Sequence, residues 1–267
     1  MKVVIFCGGL GVRMGEETQR IPKPMIEIGG RPILWHIMRY YAAWGHNDFV
    51  LCLGYKGDVV KRYFLEYNGA MLNDFVLDRN GDGMKLELLS RDLEEWRITF
   101  VDTGLSSTIG ERLKAVAPYL ADDVFLATYG DGLTDAPLPL LIDSFLASGK
   151  TAQFLCVPPQ HNTHLVSLNG DGEVLAVEEM SRSYVRINGG FFVFRREIVD
   201  LIEPGDELLD ETFARLIAAQ DLAAYSYDGF FAMMDTIKDR QMLETMHETG
   251  QAPWQHLRRD LLDQLAV

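Results

Sequence analysis

The chain has 267 residues, of which 48% are hydrophobic and 24% charged, and its formal net charge is −14. That length and composition suit one large globular domain with its own core and exclude a disordered tail. An acidic chain without a long Lys/Arg cluster is a poor binder of polyanions, so nucleic acid is excluded as a partner. No run approaches the roughly 20 apolar residues of a membrane span.

The first element expected is a buried strand over residues 2–7, because the run is short, apolar and closed by Gly8-Gly9. Met1-Lys2-Val3-Val4-Ile5-Phe6 lacks the flanks of a signal peptide, and a cytoplasmic location is the expectation. A polar, glycine-rich loop follows. Apolar spacing then predicts a helix from Pro32 to about Trp44, a strand over Phe49–Leu53 and a helix over Val59–Tyr67. Phe75 to Leu89 contains Asn80-Gly81-Asp82-Gly83, the signal of a hairpin turn. A strand at Ile98–Val101, a helix from Gly110 to Tyr119 and a strand at Val124–Tyr129 come next. A helix at Pro139–Ala147 and a strand at Ala152–Val157 continue the alternation. Beyond Pro158 the strands shorten, at Val166–Leu168, Val174–Val177 and Phe191–Phe194. Helical patterns return at Arg196–Ile202, Glu211–Ala219 and Ile237–Glu248. Alternation of this kind predicts an α/β fold, doubly wound around a mostly parallel mixed sheet, with a small β-rich part. Cys7, Cys52 and Cys156 are odd in number, far apart and set in apolar strands, so buried free thiols are expected. Without an internal repeat or flexible linker, residues 1–267 read as a single domain.

The loop Gly8-Gly9-Leu10-Gly11-Val12-Arg13 can bring backbone N–H groups close to phosphate, and Arg13 can add a forked, charge-assisted contact. Pro22-Lys23-Pro24 holds a lysine between two stiff residues, which suits a cation that must meet charge developing on phosphorus. Neither the P-loop ending nor the G-x-G-x-x-G spacing is present, which argues against a dinucleotide enzyme. Asp131 lies between Gly130 and Gly132 directly after an apolar strand, where an open α/β sheet presents its ligands. Asp235 precedes Thr236 in a turn-like segment. Two carboxylates match the sparse protein contribution that Mg²⁺ prefers beside phosphate oxygens. An ordinary turn aspartate at 131 and a helix N-cap at 235 are the competing explanations.

Taken together, Phe6-Cys7-Gly8-Gly9-Leu10-Gly11-Val12-Arg13, Pro22-Lys23-Pro24-Met25 and Gly29-Gly30-Arg31-Pro32-Ile33-Leu34 resemble the N-terminal signature of the sugar-phosphate nucleotidyltransferase family. Glu16-Glu17-Thr18 and Gly54-Tyr55-Lys56-Gly57 are most similar to its glucose-1-phosphate cytidylyltransferase branch. So are Asp102-Thr103-Gly104, Arg112-Leu113-Lys114, Thr128-Tyr129-Gly130-Asp131-Gly132, Asn188-Gly189-Gly190 and Met234-Asp235-Thr236. The resemblance covers nearly the whole chain. It implies a Rossmann-like nucleotidyltransferase fold, with residues 1–135 mainly nucleotide-binding and 136–267 mainly acceptor-binding. It implies transfer of a nucleotidyl group from CTP to a sugar 1-phosphate, glucose 1-phosphate by expectation, with release of diphosphate. By the same resemblance Gly8, Gly9, Gly11 and Arg13 would hold the triphosphate, Val12 and Gly130 would belong to the nucleotide site, and Arg13 and Lys23 would stabilise the reacting phosphate. Glu17, Thr18 and Arg112 would lie by the base, and Asp131 and Asp235 would hold Mg²⁺. A homo-oligomer is the expected assembly.

The acceptor half departs from the family pattern. Glu178-Glu179-Met180 stands where Glu-Lys-Pro is usual, so Glu179 replaces a lysine expected near the sugar phosphate. An acid there would repel a phosphate unless a nearby cation compensates, and Arg182 and Arg186 are the candidates, with exposed strand-edge arginines as the alternative. His161 and His164 occupy a loop that usually reads Gly-Arg-Phe-Gly, and Gly110-Glu111-Arg112 replaces Gly-Gly-Arg. Asn188, Gly189 and Glu211 still match acceptor-side positions, although a carboxylate at a helix start explains Glu211 as well. These departures leave open an altered phosphate or phosphonate acceptor. A catalytically silent nucleotide-binding regulator is the reading from another class, opposed by the retention of Arg13, Lys23, Asp131 and Asp235.

Overall fold

The computed structural model describes residues 1–9, 21–67, 74–80, 85–89, 96–159, 164–180 and 184–256. Strand β1 (Lys2–Phe6) is central. β2 (Asp48–Leu53) lies on one side of it, with β3 (Arg97–Asp102) beyond, and β4 (Val124–Tyr129) lies on the other, all parallel. Helix α1 (Ile33–Ala43) and helix α2 (Gly57–Leu65) fall between β1 and β3 in the chain, and α3 (Ile109–Val116) links β3 to β4. After β4 come the short strand β5 (Gly132–Thr134), helix α4 (Leu138–Ser148) and strand β6 (Ala152–Val157). An outlying antiparallel pair, β7 (His164–Leu168) with β8 (Val174–Glu179), precedes β9 (Ile187–Asn188) and β10 (Phe192–Arg195). Helix α5 (Phe213–Ala218), β11 (Leu222–Ser226), β12 (Phe231–Met233) and helix α6 (Ile237–Glu248) complete the elements used below.

The main sheet runs β3-β2-β1-β4-β10-β6-β11, with β9 beside β6. β10 is antiparallel to both its neighbours, so the sheet is mixed but mostly parallel, as the alternation predicts. Strands from both ends of the chain share it. Its central strands carry uninterrupted apolar runs, Val3–Phe6, Phe49–Leu53 and Val124–Ala127, because both faces are covered. On β1, Val3 and Ile5 join the core layer that includes α1, while Val4 and Phe6 join the layer that includes Leu113 and Val116 of α3. Successive side chains of a strand point to opposite faces, which produces this division.

Several local expectations differ from the structure. Residues 196–202 are expected to be helical; Arg196–Leu201 is a 3₁₀ helix, the tighter form used in short connecting pieces. The helix expected at Glu211 begins earlier, as a π turn at Leu208–Thr212 that runs into α5. β5, β11 and β12 carry no alternation strong enough to announce them. Cys7 and Cys52 are buried free thiols as expected, whereas Cys156 is only partly buried. Among the described residues, no helix is long and apolar enough to cross a membrane.

Candidate active site

The strand order reverses at β1, since the chain passes from β1 outward to β3 and then returns to β4 on the other side. Ligands of open α/β sheets bind at the carboxyl ends of strands flanking such a reversal. Here Cys7-Gly8-Gly9 leaves β1 and Gly130-Asp131 leaves β4, and the Gly130 amide donates to the Phe6 carbonyl at 3.1 Å. A cavity of about 340 Å³ opens between them, in the size range of small-molecule sites. Gly8, Gly9, Lys23, Gly130, Asp131 and Asp235 line it, together with Phe6, Tyr129, Ile109 and Met233.

Lys23 opens a single 3₁₀ turn, Lys23–Met25, after an extended Pro22. Pro24 and Met25 are buried and pin that turn. A β-carbon at Gly130 would lie 2.9 Å from Pro24 Cγ and 3.0 Å from the Phe6 carbonyl oxygen. Only glycine therefore lets the Lys23 turn pack this closely beside Asp131.

Two short strands bring the carboxylates together. β5 and β12 pair antiparallel with Gly132 opposite Met233, and the Met234 amide donates to the Asp131 carbonyl at 2.9 Å. Asp131 and Asp235 thus leave adjacent ends of one ladder. The helix cap that was the competing explanation for Asp235 is supplied by Thr236, whose hydroxyl accepts from the Asp239 amide in a capping box. The Asp235 side chain is turned to the cavity. Lys23 Nζ donates to Asp131 Oδ2 at 2.6 Å and to Asp235 Oδ1 at 2.5 Å, bridging residues 108 and 212 positions from it in the chain.

Burial lowers the Lys23 pKa, but Asp131 and Asp235 outweigh it and hold the ammonium above its usual value. Burial raises the Asp131 carboxyl, Lys23 opposes that shift, and the neighbouring Asp235 charge adds to it. Burial also pushes the Cys7 thiol well up, so it is an inert wall and not a nucleophile. Among the described residues, no other residue donates to the second Asp131 oxygen, Oδ1, which is buried. A carboxylate with an unused buried oxygen, beside a second carboxylate and already holding a cation, fits a divalent ion. Among the described residues no three His, Cys, Asp or Glu side chains gather at one point, and the carboxylates they offer a cation here are Asp131 and Asp235.

The acceptor-side residues are more scattered. The Asn188 amide donates to the Tyr129 hydroxyl at 3.2 Å and its carbonyl accepts from the Gly190 amide at 2.9 Å, so Asn188 backs a cavity wall. Gly189 lies against the Phe231 ring, and its amide donates to the Leu155 carbonyl. Arg186 is paired with Asp228 at 2.5 Å, so that cation is already matched by a carboxylate. Glu211 is exposed and accepts from the Glu207 amide at 2.8 Å, closing the start of its own helix. His164 lies exposed on β7 opposite Glu179 of β8. Gly11, Val12, Arg13, Glu17, Thr18, His161 and Arg182 lie outside the described residues. Arg112 is 3% exposed and sits beneath Gly8, donating to its carbonyl oxygen. Its neighbour Glu111, the departure from Gly-Gly-Arg, completes a capping box with Thr108 at the start of α3. Ile109, Met233 and Pro24 are site residues that the sequence reading missed, because apolar walls assembled from separate segments carry no local signal.

The chain is 42% identical over 258 residues to the glucose-1-phosphate cytidylyltransferase of Salmonella typhimurium, covering 95% of this chain and 98% of that one. It is 38% identical over 256 residues to a probable glucose-1-phosphate cytidylyltransferase of Bacillus subtilis, covering 95% and 99%. In fold it is similar to HddC from Yersinia pseudotuberculosis, at a TM-score of 0.65 and 20% identity, covering 92% of this chain and 99% of HddC. No protein-family model matches the sequence.

Proposed function

The chain belongs to the glucose-1-phosphate cytidylyltransferase family of sugar-phosphate nucleotidyltransferases, and from that premise we propose that it joins CTP to a sugar 1-phosphate, glucose 1-phosphate by expectation. An oxygen of the acceptor phosphate attacks the α-phosphorus of CTP. The bond from that phosphorus to the oxygen bridging the β-phosphate breaks, and diphosphate leaves with the electron pair. The remaining product is a CDP-sugar. The attacking oxygen is already anionic, so no general base is required, and positioning with charge stabilisation supplies the rate.

The observation that carries this reading is the Lys23 ammonium held between Asp131 and Asp235 in the cavity at the strand reversal. Gly8 and Gly9 offer backbone next to that point, and Lys23 is placed to meet charge developing on the transferred phosphate, with Arg13 as its expected partner. Asp131 and Asp235 would hold a Mg²⁺, which when bound neutralises charge on the polyphosphate. Residues 1–135 then serve mainly the nucleotide and residues 136–267 mainly the acceptor. Asn188 and Gly189 support acceptor binding through their contacts with Tyr129 and Phe231 in the cavity wall. The proposal extends to a homo-oligomer working in the cytoplasm, and light scattering of the purified chain tests the first part.

Diphosphate release from CTP in the presence of Mg²⁺, with a panel of sugar 1-phosphates and one phosphonate, is the direct test. Turnover with glucose 1-phosphate above the rest is the expected result. Equal or better turnover of another acceptor would move the substrate assignment to that compound, in keeping with Glu179. No release with any acceptor would favour a silent nucleotide-binding protein.

A further inference from the structure

Tyr129 ends β4 and lines the cavity two residues before Asp131. Its ring is held from three sides. The Phe192 ring meets it edge-on with centroids 5.4 Å apart, and the Phe6 ring lies 6.3 Å away. Gly190 closes the third side at a φ of +72°, and a β-carbon there would lie 2.9 Å from Tyr129 Cδ2. Only a glycine lets the chain turn this close to the ring. Packing of this kind fixes the ring and, with it, the place of the hydroxyl beside Asn188 of β9.

The hydrogens around that hydroxyl leave it a single role. The Gly190 amide donates to Asn188 Oδ1 at 2.9 Å, so the carbonyl end of the Asn188 side chain faces Gly190. The reversed amide would set two N–H groups against each other. The other end, Nδ2, therefore faces Tyr129 and donates to its hydroxyl oxygen at 3.2 Å. An amide nitrogen carrying two hydrogens cannot accept, so the phenolic proton must point elsewhere. Among the described residues no side chain or carbonyl accepts it. Burial pushes the phenol up to about 12, the Asn188 contact opposes that shift, and the Asp131 and Glu207 charges add to it. The group is therefore neutral near pH 7 and keeps its proton. A donor with a fixed position thus stands at the cavity wall.

We propose that Tyr129 is a substrate-binding residue: its hydroxyl donates to an oxygen of the sugar 1-phosphate, and Asn188 is the positioning residue that turns the proton into the cavity. The inference rests on the nucleotidyl-transfer reading and deepens it by naming a donor on the acceptor side. A neutral donor suits this chain, because Glu179 stands where a lysine is usual and Arg186 is paired with Asp228. A phenol can meet an acceptor oxygen without adding charge beside Asp131 and Asp235. A second ammonium there would compete with Mg²⁺ for the same carboxylates. Asn188 keeps its other amide hydrogen, which can serve the same ligand.

The experiment measures initial rates of diphosphate release at saturating Mg²⁺, with CTP and glucose 1-phosphate (or the acceptor preferred in the panel) varied in turn. It compares the wild type with Tyr129→Phe, Asn188→Asp and the double variant. Tyr129→Phe deletes one oxygen and keeps the ring packing, so its melting point should stay near the wild-type value. Loss of one neutral hydrogen bond corresponds to a rise of about two- to tenfold in KM for the acceptor, with KM for CTP unchanged. Asn188→Asp offers the hydroxyl an acceptor and turns its proton away from the cavity. It should raise the same KM, which keeps the test open should Tyr129→Phe not fold. In that background Tyr129→Phe should add less than about twofold. Methyl phosphate as a competitive inhibitor separates the two kinds of oxygen. Weaker inhibition of Tyr129→Phe would assign the contact to the phosphate, and equal inhibition would assign it to the sugar. An acceptor KM that is unchanged in Tyr129→Phe, or that rises together with KM for CTP, would overturn the inference and leave nucleotidyl transfer standing. A full cost of Tyr129→Phe in the Asn188→Asp background would overturn the part given to Asn188. A wild type that releases no diphosphate from CTP with any sugar 1-phosphate would instead overturn the functional reading, and this inference with it.

Discussion

Replacing Lys23 by methionine keeps the length of the side chain and removes its charge. The ammonium lies 2.6 Å from one carboxylate oxygen and 2.5 Å from another, so the variant leaves two acids facing each other with no cation between them. At an effective dielectric near 20 each contact is worth roughly 6 kcal/mol of gross attraction, most of which desolvation cancels. Removing one partner of a buried pair costs about 3–5 kcal/mol. The Asp235 side chain is 34% exposed, and solvent screening reduces the expected loss here to about 2–3 kcal/mol. Proton uptake limits the damage, because burial already raises the Asp131 carboxyl and losing Lys23 raises it further. In a chain of this size the loss corresponds to a melting point lower by on the order of 5–10 °C in chelator. Mg²⁺ should restore part of it, and by more than it shifts the wild type, because the ion and the ammonium satisfy the same two carboxylates. Diphosphate release should fall by about 10²–10³ even at saturating Mg²⁺, the usual cost of one lost charge stabiliser. Scanning fluorimetry with and without Mg²⁺, alongside a coupled diphosphate assay, measures all three quantities. A methionine variant that melts with the wild type and turns over at its rate would refute the role given to Lys23.

Three further outcomes are expected. Gly130→Ala forces a β-carbon against the Pro24 ring and the Phe6 carbonyl, neither of which can swing aside, so a loss of about 1–3 kcal/mol is expected in urea unfolding, with a matching fall in turnover. Asp131→Asn should abolish diphosphate release, and EDTA should do the same to the wild type reversibly while far-UV circular dichroism stays native; activity that survives chelation would argue against the metal. His36 is buried, donates to the Ile28 carbonyl and accepts from the Trp254 indole, with His247 and Arg31 nearby, and burial lowers its pKa to about 4. The unfolded chain therefore takes up a proton below the ordinary histidine value while the folded one does not, so stability falls as the pH drops from about 6.5 toward 4, by up to roughly 3 kcal/mol. His36→Gln should be less stable at pH 8 but show a shallower acid slope; an unchanged slope would assign the loss to other groups.

Much of the frame was legible in the chain. Val3 to Phe6, Phe49 to Leu53 and Phe125 to Ala127 are apolar without interruption, and only strands covered on both faces read that way. Glycines after β1 and β4 marked where backbone must approach another group closely, and the Pro22-Lys23-Pro24 stiffness marked a lysine with a fixed direction. Asp131 drew notice through its place behind an apolar strand.

Tertiary structure decided the rest. That Asp235 stands beside Asp131 depends on the three-residue strands β5 and β12, too short to show a period of two, and on Thr236 taking the cap that Asp235 could have supplied. The burial of Arg112 beneath Gly8 depends on three strand ends converging, an event with no local trace. Arg186, legible as a free cation for an acceptor, is matched by Asp228 from a distant loop. Local patterns record which way a side chain faces within its own element. The partner it meets is set by which elements the assembled sheet brings side by side, and that information is spread over the whole chain.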